Sequence, residues 1–369
     1  MPLLAGRGRM RYESGVSSNF PLSYKASWLP RLLAPSLGGN TGGFAPPLGG
    51  IQPSPGQSTR LVFLGDISAV AGSIAPRMDE DLRDTIASAA LVIANCESPV
   101  VARPLRQPGT FLGARHAMTR QFLADTLAAA GISPEKLVLS LANNHALDQG
   151  PEGLDETLRV LAGLGIGTVG LASDGPVSIL AVGAMTIGFA AFTEWRNAGA
   201  TEFAGRVTMS DDFERAGWTA LRQAKADLLC ALPHWDREFR HFPEPATRQM
   251  AQRLAASGVG LVVGGHAHVI QPAERIGDTL VAYGLGDFLG TAWSRSRWPL
   301  RLGTMLIVDV VVAGDPAADG RRGRIASYEF RPFVRVKDGE REHLKCIAAV
   351  GGSLGKAIEA RWRAVFYHN

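Results

Sequence analysis

Cysteine is scarce in this chain: Cys96, Cys230 and Cys346 are the only three in 369 residues, and no two form a CxxC pair. That excludes a disulfide framework and a thiolate zinc site, and makes a reduced, cytoplasmic setting the default expectation. Cys96 and Cys230 lie beside polar motifs, where a small buried hydrophobe serves equally well. Long apolar runs are missing too. No stretch offers the ~18 uninterrupted apolar residues of a membrane helix, so no membrane span is expected. Net charge is small, +4, and unevenly held. Residues 1–60 carry six basic side chains against the single acid Glu13, a balance of +5, which leaves −1 for the remainder of the chain. A nearly neutral body argues against a nucleic-acid partner.

The first 60 residues hold 10 glycines and 8 prolines. Such a composition buries too little apolar surface to offset the entropy of ordering. The expectation is a disordered, basic Gly/Pro-rich leader over residues 1–58, followed by one domain over 59–369. The leader lacks the continuous apolar core of a secretory signal, because Pro, Lys and Ser interrupt every run. Its segment Phe20–Leu33, with Trp28 and Leu32–Leu33, has some docking character, but composition weighs against that.

From Leu61 onward, short apolar runs alternate with amphipathic windows. Leu61–Leu64, Leu91–Ala94, Leu137–Leu141, Leu228–Leu232 and Leu261–Val263 read as strands covered on both faces. Thr119–Ala130, Pro151–Leu164, Asp211–Ala226 and Pro245–Ala256 read as helices, the first two closed by Gly131 and Gly165. Val177–Phe192 reads as two strands joined at Gly183–Ala184. Beyond Gly258 the chain reads mainly as strand: Leu280–Tyr283, Thr304–Val312 and Ile325–Val336. This predicts an α/β domain with two stacked sheets flanked by helices.

The residues just past each strand carry the chemistry. Leu61–Leu64 leads into Gly65-Asp66, and Leu91–Ala94 into Asn95-Cys96-Glu97. Leu137–Leu141 leads into Ala142-Asn143-Asn144-His145, with Asp148 three residues on. Leu228–Leu232 leads into Pro233-His234-Trp235, and Leu261–Val263 into Gly264-Gly265-His266-Ala267-His268. Ligands of α/β sheets bind at the carboxyl ends of strands. Carboxylate and amide oxygens mixed with imidazoles suit Mn, Fe or Zn. His266 and His268, two residues apart on an extended segment, would point the same way. Each piece also has a plainer reading. Asp66 could shape a turn, Asn143 and Asn144 could hold a left-handed turn, and Asp148 could cap the helix near Pro151. The conjunction of five strand ends favours a metal site.

Taken together, Gly65-Asp66, Asn95-x-Glu97, Ala142-Asn143-Asn144-His145-x-x-Asp148, His234-Trp235 and Gly265-His266-x-His268 resemble the capsule-synthesis CapA family, a branch of the calcineurin-like metallophosphatase superfamily. Glu238, Pro243, Gln249, Gln271-Pro272-x-Glu274 and Tyr283-Gly284-Leu285-Gly286-Asp287-Phe288 are further echoes. The resemblance spans roughly residues 60–290. It implies a four-layer α/β/β/α sandwich and one or two divalent metal ions, Mn, Fe or Zn. Asp66, Glu97, Asn144, His234, His266 and His268 are the implied metal ligands, with Glu97 and Asn144 completing a second ion. His145 is the implied proton donor or electrostatic stabiliser, oriented by Asn143 and Asp148. Two positions depart from the usual pattern. Ser68 stands where the superfamily has a histidine, which removes a strong ligand. Asp287 stands where the family usually has Asn, and would add a ligand, supply a proton-transfer group or simply form a turn.

Such a site suits metal-assisted hydrolysis or proton abstraction beside a metal-bound carbonyl. The resemblance implies an enzyme of poly-γ-glutamate-type polymer or peptide metabolism, with an anionic polymer or peptide as substrate and capsule-synthesis proteins as partners. A soluble peptide epimerase, with Asp287 and His145 as acid and base, is the alternative within enzymology. A non-catalytic polymer-binding subunit that uses the cleft or the basic leader is the third reading. Arg295, Arg297 and Arg301, interleaved with Trp293 and Trp298, read as an inert loop or as a rim that binds carboxylates through Arg forks. Arg321, Arg322 and Arg324 read as an exposed loop.

Overall fold

The computed structural model describes residues 18–50, 58–69, 74–105, 115–290, 297–312 and 322–367. Trp293, Arg295 and Arg321 lie outside the described residues. The five apolar runs all form strands, and they divide between two sheets. Ser58–Ser68, Leu91–Asn95, Leu137–Ser140 and Gly167–Val169 run parallel to one another in the larger sheet. Leu302–Val311 and Ile325–Asp338 extend it antiparallel on the other side, and Asp287–Gly290 adds alongside Ser58–Ser68. The smaller sheet has the order Ala273–Ile276, Thr279–Ala282, Leu261–Val263, Leu228–His234, Met185–Thr193, Ser178–Val182. Its last two strands are the hairpin expected at Gly183, which adopts φ 57° in the turn.

Alternation along the smaller sheet places it in the stack. Ile187, Phe189, Cys230, Leu261 and Leu280 face the larger sheet and share one core with Leu61, Phe63 and Ile93. Their neighbours Phe192, Ala231, Val262 and Val281 face outward against Phe213 and Leu221 of the helix Ser210–Gln223 and Ala251 and Leu254 of Pro245–Ala256. The far side of the larger sheet is covered by Glu80–Ala87, Arg120–Ala130 and Gly150–Leu164 through Leu82, Leu123 and Leu161. The result is the α/β/β/α sandwich. Helix ends follow local chemistry: Thr119 Oγ1 accepts the Phe122 N–H at 3.1 Å, and Gly131 and Gly165 close their helices at φ 70° and 80°.

The carboxyl-terminal region is mainly strand, as expected, and adds the helix Gly352–Phe366, which buries Ile358, Trp362, Val365 and Phe366. That spacing is helical and was legible. One expectation is corrected. Residues 18–50, expected to belong to a disordered leader, are ordered. Leu22–Leu33 is a helix, Leu48–Gly50 pairs antiparallel with Ile325–Asp338, and Phe44 sits against Phe242 and Tyr283. Composition misjudged this segment because it is held by a body already folded, so it need not supply its own core. No helix among the described residues is long and apolar enough to cross a membrane.

Candidate metal centre

Both sheets aim the carboxyl ends of their parallel strands at one place. Asp66 lies within Ser58–Ser68, Glu97 two residues past Leu91–Asn95, and Asn144 and His145 in the turn after Leu137–Ser140. His234 ends Leu228–His234, while His266 and His268 follow Leu261–Val263. All seven are buried, none more than 4% exposed. His234 Nε2 lies 2.8 Å from Asn144 Oδ1, 3.2 Å from His266 Nδ1 and 3.4 Å from Glu97 Oε1. His268 Nε2 is 3.7 Å from Glu97 Oε1, and its Nδ1 is 3.8 Å from Asp66 Oδ2. Three overlapping groups, Asp66–Glu97–His234, Glu97–His266–His268 and Asp66–His268–Asp287, each bring donor atoms within 4.8 Å of one another.

The His266–His268 segment is wound, where the sequence spacing had suggested an extended one. His266 and His268 adopt φ 85° and 53°, so the chain passes through a turn and the two rings tilt 50° apart. Asp66 Oδ2 fixes the start of that turn by accepting the His266 N–H at 3.1 Å. Non-glycine residues rarely hold positive φ, and such strain concentrates at functional sites. Gly265 has a separate reason: a Cβ there would stand 2.9 Å from Asp66 Oδ1 and 3.2 Å from His234 Nδ1.

The donor set fits a divalent cation. Glu97 Oε1 is buried and faces the His234 and His268 rings at 3.4 and 3.7 Å without a well-formed hydrogen bond, while its other oxygen accepts from the Ser68 hydroxyl. A buried carboxylate needs positive charge beside it, which a cation held between these rings would supply. Burial, with the Glu97 charge added, pushes Asp66 up to about 8. Burial would raise Glu97 as well, but His268, His234 and His145 reverse this and hold it well below the carboxylate range. Burial keeps His234 and His266 below the ordinary imidazole range, in the neutral form that ligates metals. For His268 burial acts downward, yet Glu97 and Asp287 prevail and hold it well above.

Beside this pocket stands a second arrangement. His145 Nδ1 lies 2.6 Å from Asp148 Oδ2, and Asp148 also accepts the His116 N–H at 2.7 Å and Arg115 Nη1 at 3.2 Å. Asp148 is therefore no helix cap. Burial lowers His145, but Asp148 outweighs it and leaves the imidazole above its ordinary value. Asn143 both shapes the turn and orients the histidine, its Oδ1 accepting the His145 N–H at 3.1 Å and its amide donating to Asn95 Oδ1 at 3.0 Å. Asp287, beyond the pocket, has its Oδ1 2.7 Å from His268 Nδ1 and its Oδ2 3.4 Å from the buried Arg335 guanidinium. Its carboxylate is engaged on both sides.

Several contributors escaped the sequence reading. His116 stacks on His145 with ring centroids 3.7 Å apart and planes 2° from parallel. Asn197 touches both groups, through Asn144 at 3.2 Å and His145 Nδ1 at 3.1 Å. Neither sits in a motif or at a strand end, so nothing local marks them. The Gln271–Glu274 echo is structural: Glu274 lies between Arg248, at 2.9 and 3.0 Å, and the Tyr283 hydroxyl, at 2.7 Å. Cys96 and Cys230 are buried thiols that burial pushes up, to about 12 for Cys96, as befits small hydrophobes. Arg322 pairs with Asp227 and Arg324 with Asp278.

Residues 60–292 match the family described as bacterial capsule synthesis protein PGA_cap. The chain is 31% identical over 168 residues to the PGA biosynthesis protein CapA of Bacillus subtilis (strain 168), covering 43% of this chain and 44% of that protein. It is 27% identical over 191 residues to the capsule biosynthesis protein CapA of Bacillus anthracis, covering 47% and 46%. The chain thus spans less than half the length of these relatives. Among solved structures, a hypothetical protein from Thermus thermophilus superposes with a TM-score of 0.43 at 18% identity, over 75% of this chain and 99% of that one. Because the family match runs over residues 60–292, well over half of the chain, the chain belongs to the bacterial capsule synthesis protein family.

Proposed function

We propose that this chain is a metal-dependent enzyme acting on a poly-γ-glutamate-type polymer or a related peptide. The observation that carries the reading is the convergence of Asp66, Glu97, His234, His266 and His268, with Asn144 beside His234, in one buried cluster of donor atoms. The names of the capsule relatives support the substrate class. A divalent ion held by these residues would polarise a carbonyl oxygen and make a bound water acidic. The chain supplies the rest. His145, with Nδ1 committed to Asp148, acts through Nε2 and delivers a proton to the leaving nitrogen. Asp287 and Arg335 hold the His268 ring at its angle. Burial of every ligand keeps competing water out.

Metal quantification on the reconstituted chain tests this directly. One or two equivalents of Mn, Fe or Zn are expected, lost in Asp66→Ala and His268→Ala. The absence of metal from the wild type would sink the reading. Incubation with γ-glutamyl polymers and peptides in D₂O then reads the reaction by mass spectrometry. Cleavage that disappears in His145→Ala while metal is retained supports hydrolysis, whereas deuterium uptake without cleavage assigns epimerisation instead.

A further inference from the structure

The helix Leu22–Leu33 lies over the pocket and sends one side chain into it. Tyr24 is 2% exposed. Its hydroxyl lies 2.9 Å from His266 Nε2 and accepts the Glu238 backbone N–H at 3.1 Å. The helix is fixed around this point. Phe20 stacks on Trp195 with centroids 5.0 Å apart, Trp28 Nε1 donates to the Glu238 carboxylate, and Arg31 Nε donates to the Glu238 carbonyl at 2.9 Å. The His266 ring is therefore addressed from both nitrogens, Nδ1 toward His234 Nε2 at 3.2 Å and Nε2 toward Tyr24.

We propose that Tyr24 is a positioning residue of the metal centre, fixing the tautomer and ring orientation of His266 so that the Nδ1 lone pair faces the cation. The inference rests on the metal reading above. A neutral imidazole has one N–H and one lone pair. If Nδ1 gives its lone pair to a cation, the proton resides on Nε2 and needs an acceptor, since an unpartnered buried N–H is costly. With one lone pair taken by the Glu238 N–H, the Tyr24 oxygen at 2.9 Å offers its second to that proton in the proposed tautomer. Outer partners of this kind orient ligating histidines, and losing one costs ~10–100-fold in metal affinity. His266 has particular need of such support, because its backbone sits at φ 85°. A segment with the composition of a disordered tail thus completes the site.

The test compares the full-length wild type, Tyr24→Phe and Trp28→Phe, each stripped of metal and titrated with Co²⁺ and Zn²⁺ against a chelating dye. Tyr24→Phe keeps the ring and removes only the hydroxyl. The expected result is ~10–100-fold weaker binding and an altered Co²⁺ absorption spectrum, with the metal-free melting temperature unchanged and Trp28→Phe close to wild type. Unchanged affinity and spectrum in Tyr24→Phe overturn the proposal. Equal losses in Trp28→Phe overturn it too, by assigning the effect to helix docking. A wild-type chain that takes up no metal overturns the underlying metal reading, a distinguishable failure.

Discussion

The body of this protein and its amino-terminal segment meet at His266 and Glu238, and different forces hold them. In the body, strands such as Ser58–Ser68 are buried almost end to end, and Phe63 and Phe189 are each 1% exposed between the sheets. The helix Leu22–Leu33 inverts that rule. It buries Tyr24 and Arg31 while Leu22, Leu29 and Leu33 stand 84%, 55% and 53% exposed. Apolar transfer holds the body together. The segment is held largely by polar and aromatic contacts reaching across the chain, from Asn19 to Glu194, Trp28 to Glu238 and Tyr24 to His266, with Leu32 packed beside Phe239 and Leu48–Gly50 paired to Ile325–Asp338. A cover attached in this way can be ordered without being part of the cooperative core.

The comparison can be broken at several depths. Phe189→Ala should cost ~3–5 kcal/mol in urea unfolding, because it empties space between two sheets that cannot collapse onto it. A loss below ~1 kcal/mol would deny the body its apolar basis. Glu194→Gln tests the seam between the regions, where the Glu194 carbonyl accepts from Asn19 and its carboxylate from the Asp236 N–H. Burial pushes Glu194 up to about 7 from 4.5. The native state therefore keeps its proton between those values while the unfolded chain gives it up, so ionisation costs stability as pH rises. The variant should match wild type below pH 4.5 and gain on it up to pH 7, by about 3 kcal/mol, then hold a constant lead. A gap independent of pH would show that the carboxylate is solvated.

Trp28→Ala should be milder, about 1 kcal/mol, since the ring is only partly buried beside Phe239. Hydrogen exchange should accelerate across residues 22–33 while Leu228–His234 stays protected. Matching acceleration in both would mean that the segment unfolds with the body. Leu29→Ser, in solvent, should change stability by less than ~0.5 kcal/mol.

These differences explain how much could be read in advance. The apolar runs and the glycines closing Arg120–Ala130 and Gly150–Leu164 are local signals, and they placed the strands and helices of the body. The polar residues just past five of those strands located the pocket, because parallel sheets deliver their carboxyl ends to one edge. The carboxyl-terminal helix was legible in the spacing of Ile358, Trp362, Val365 and Phe366 but was hidden by the strands before it. His116, Asn197 and Arg335 were not legible. Each owes its role to a partner brought near only by folding: His145 for the first two and Asp287 for the third.

Sequence alone determined the two stacked sheets with flanking helices, the positions of the parallel strands and the candidate ligands, since those derive from periodicity and from residues adjacent to it. Tertiary structure decided that His266 and His268 turn rather than extend, that Asp287 stands behind His268, and that the helix Leu22–Leu33 lies over the pocket. Tyr24 and His266 are 242 positions apart, and no local pattern encodes their contact. Whether a polar side chain is buried, and against what, is settled only when the rest of the chain has taken its place around it.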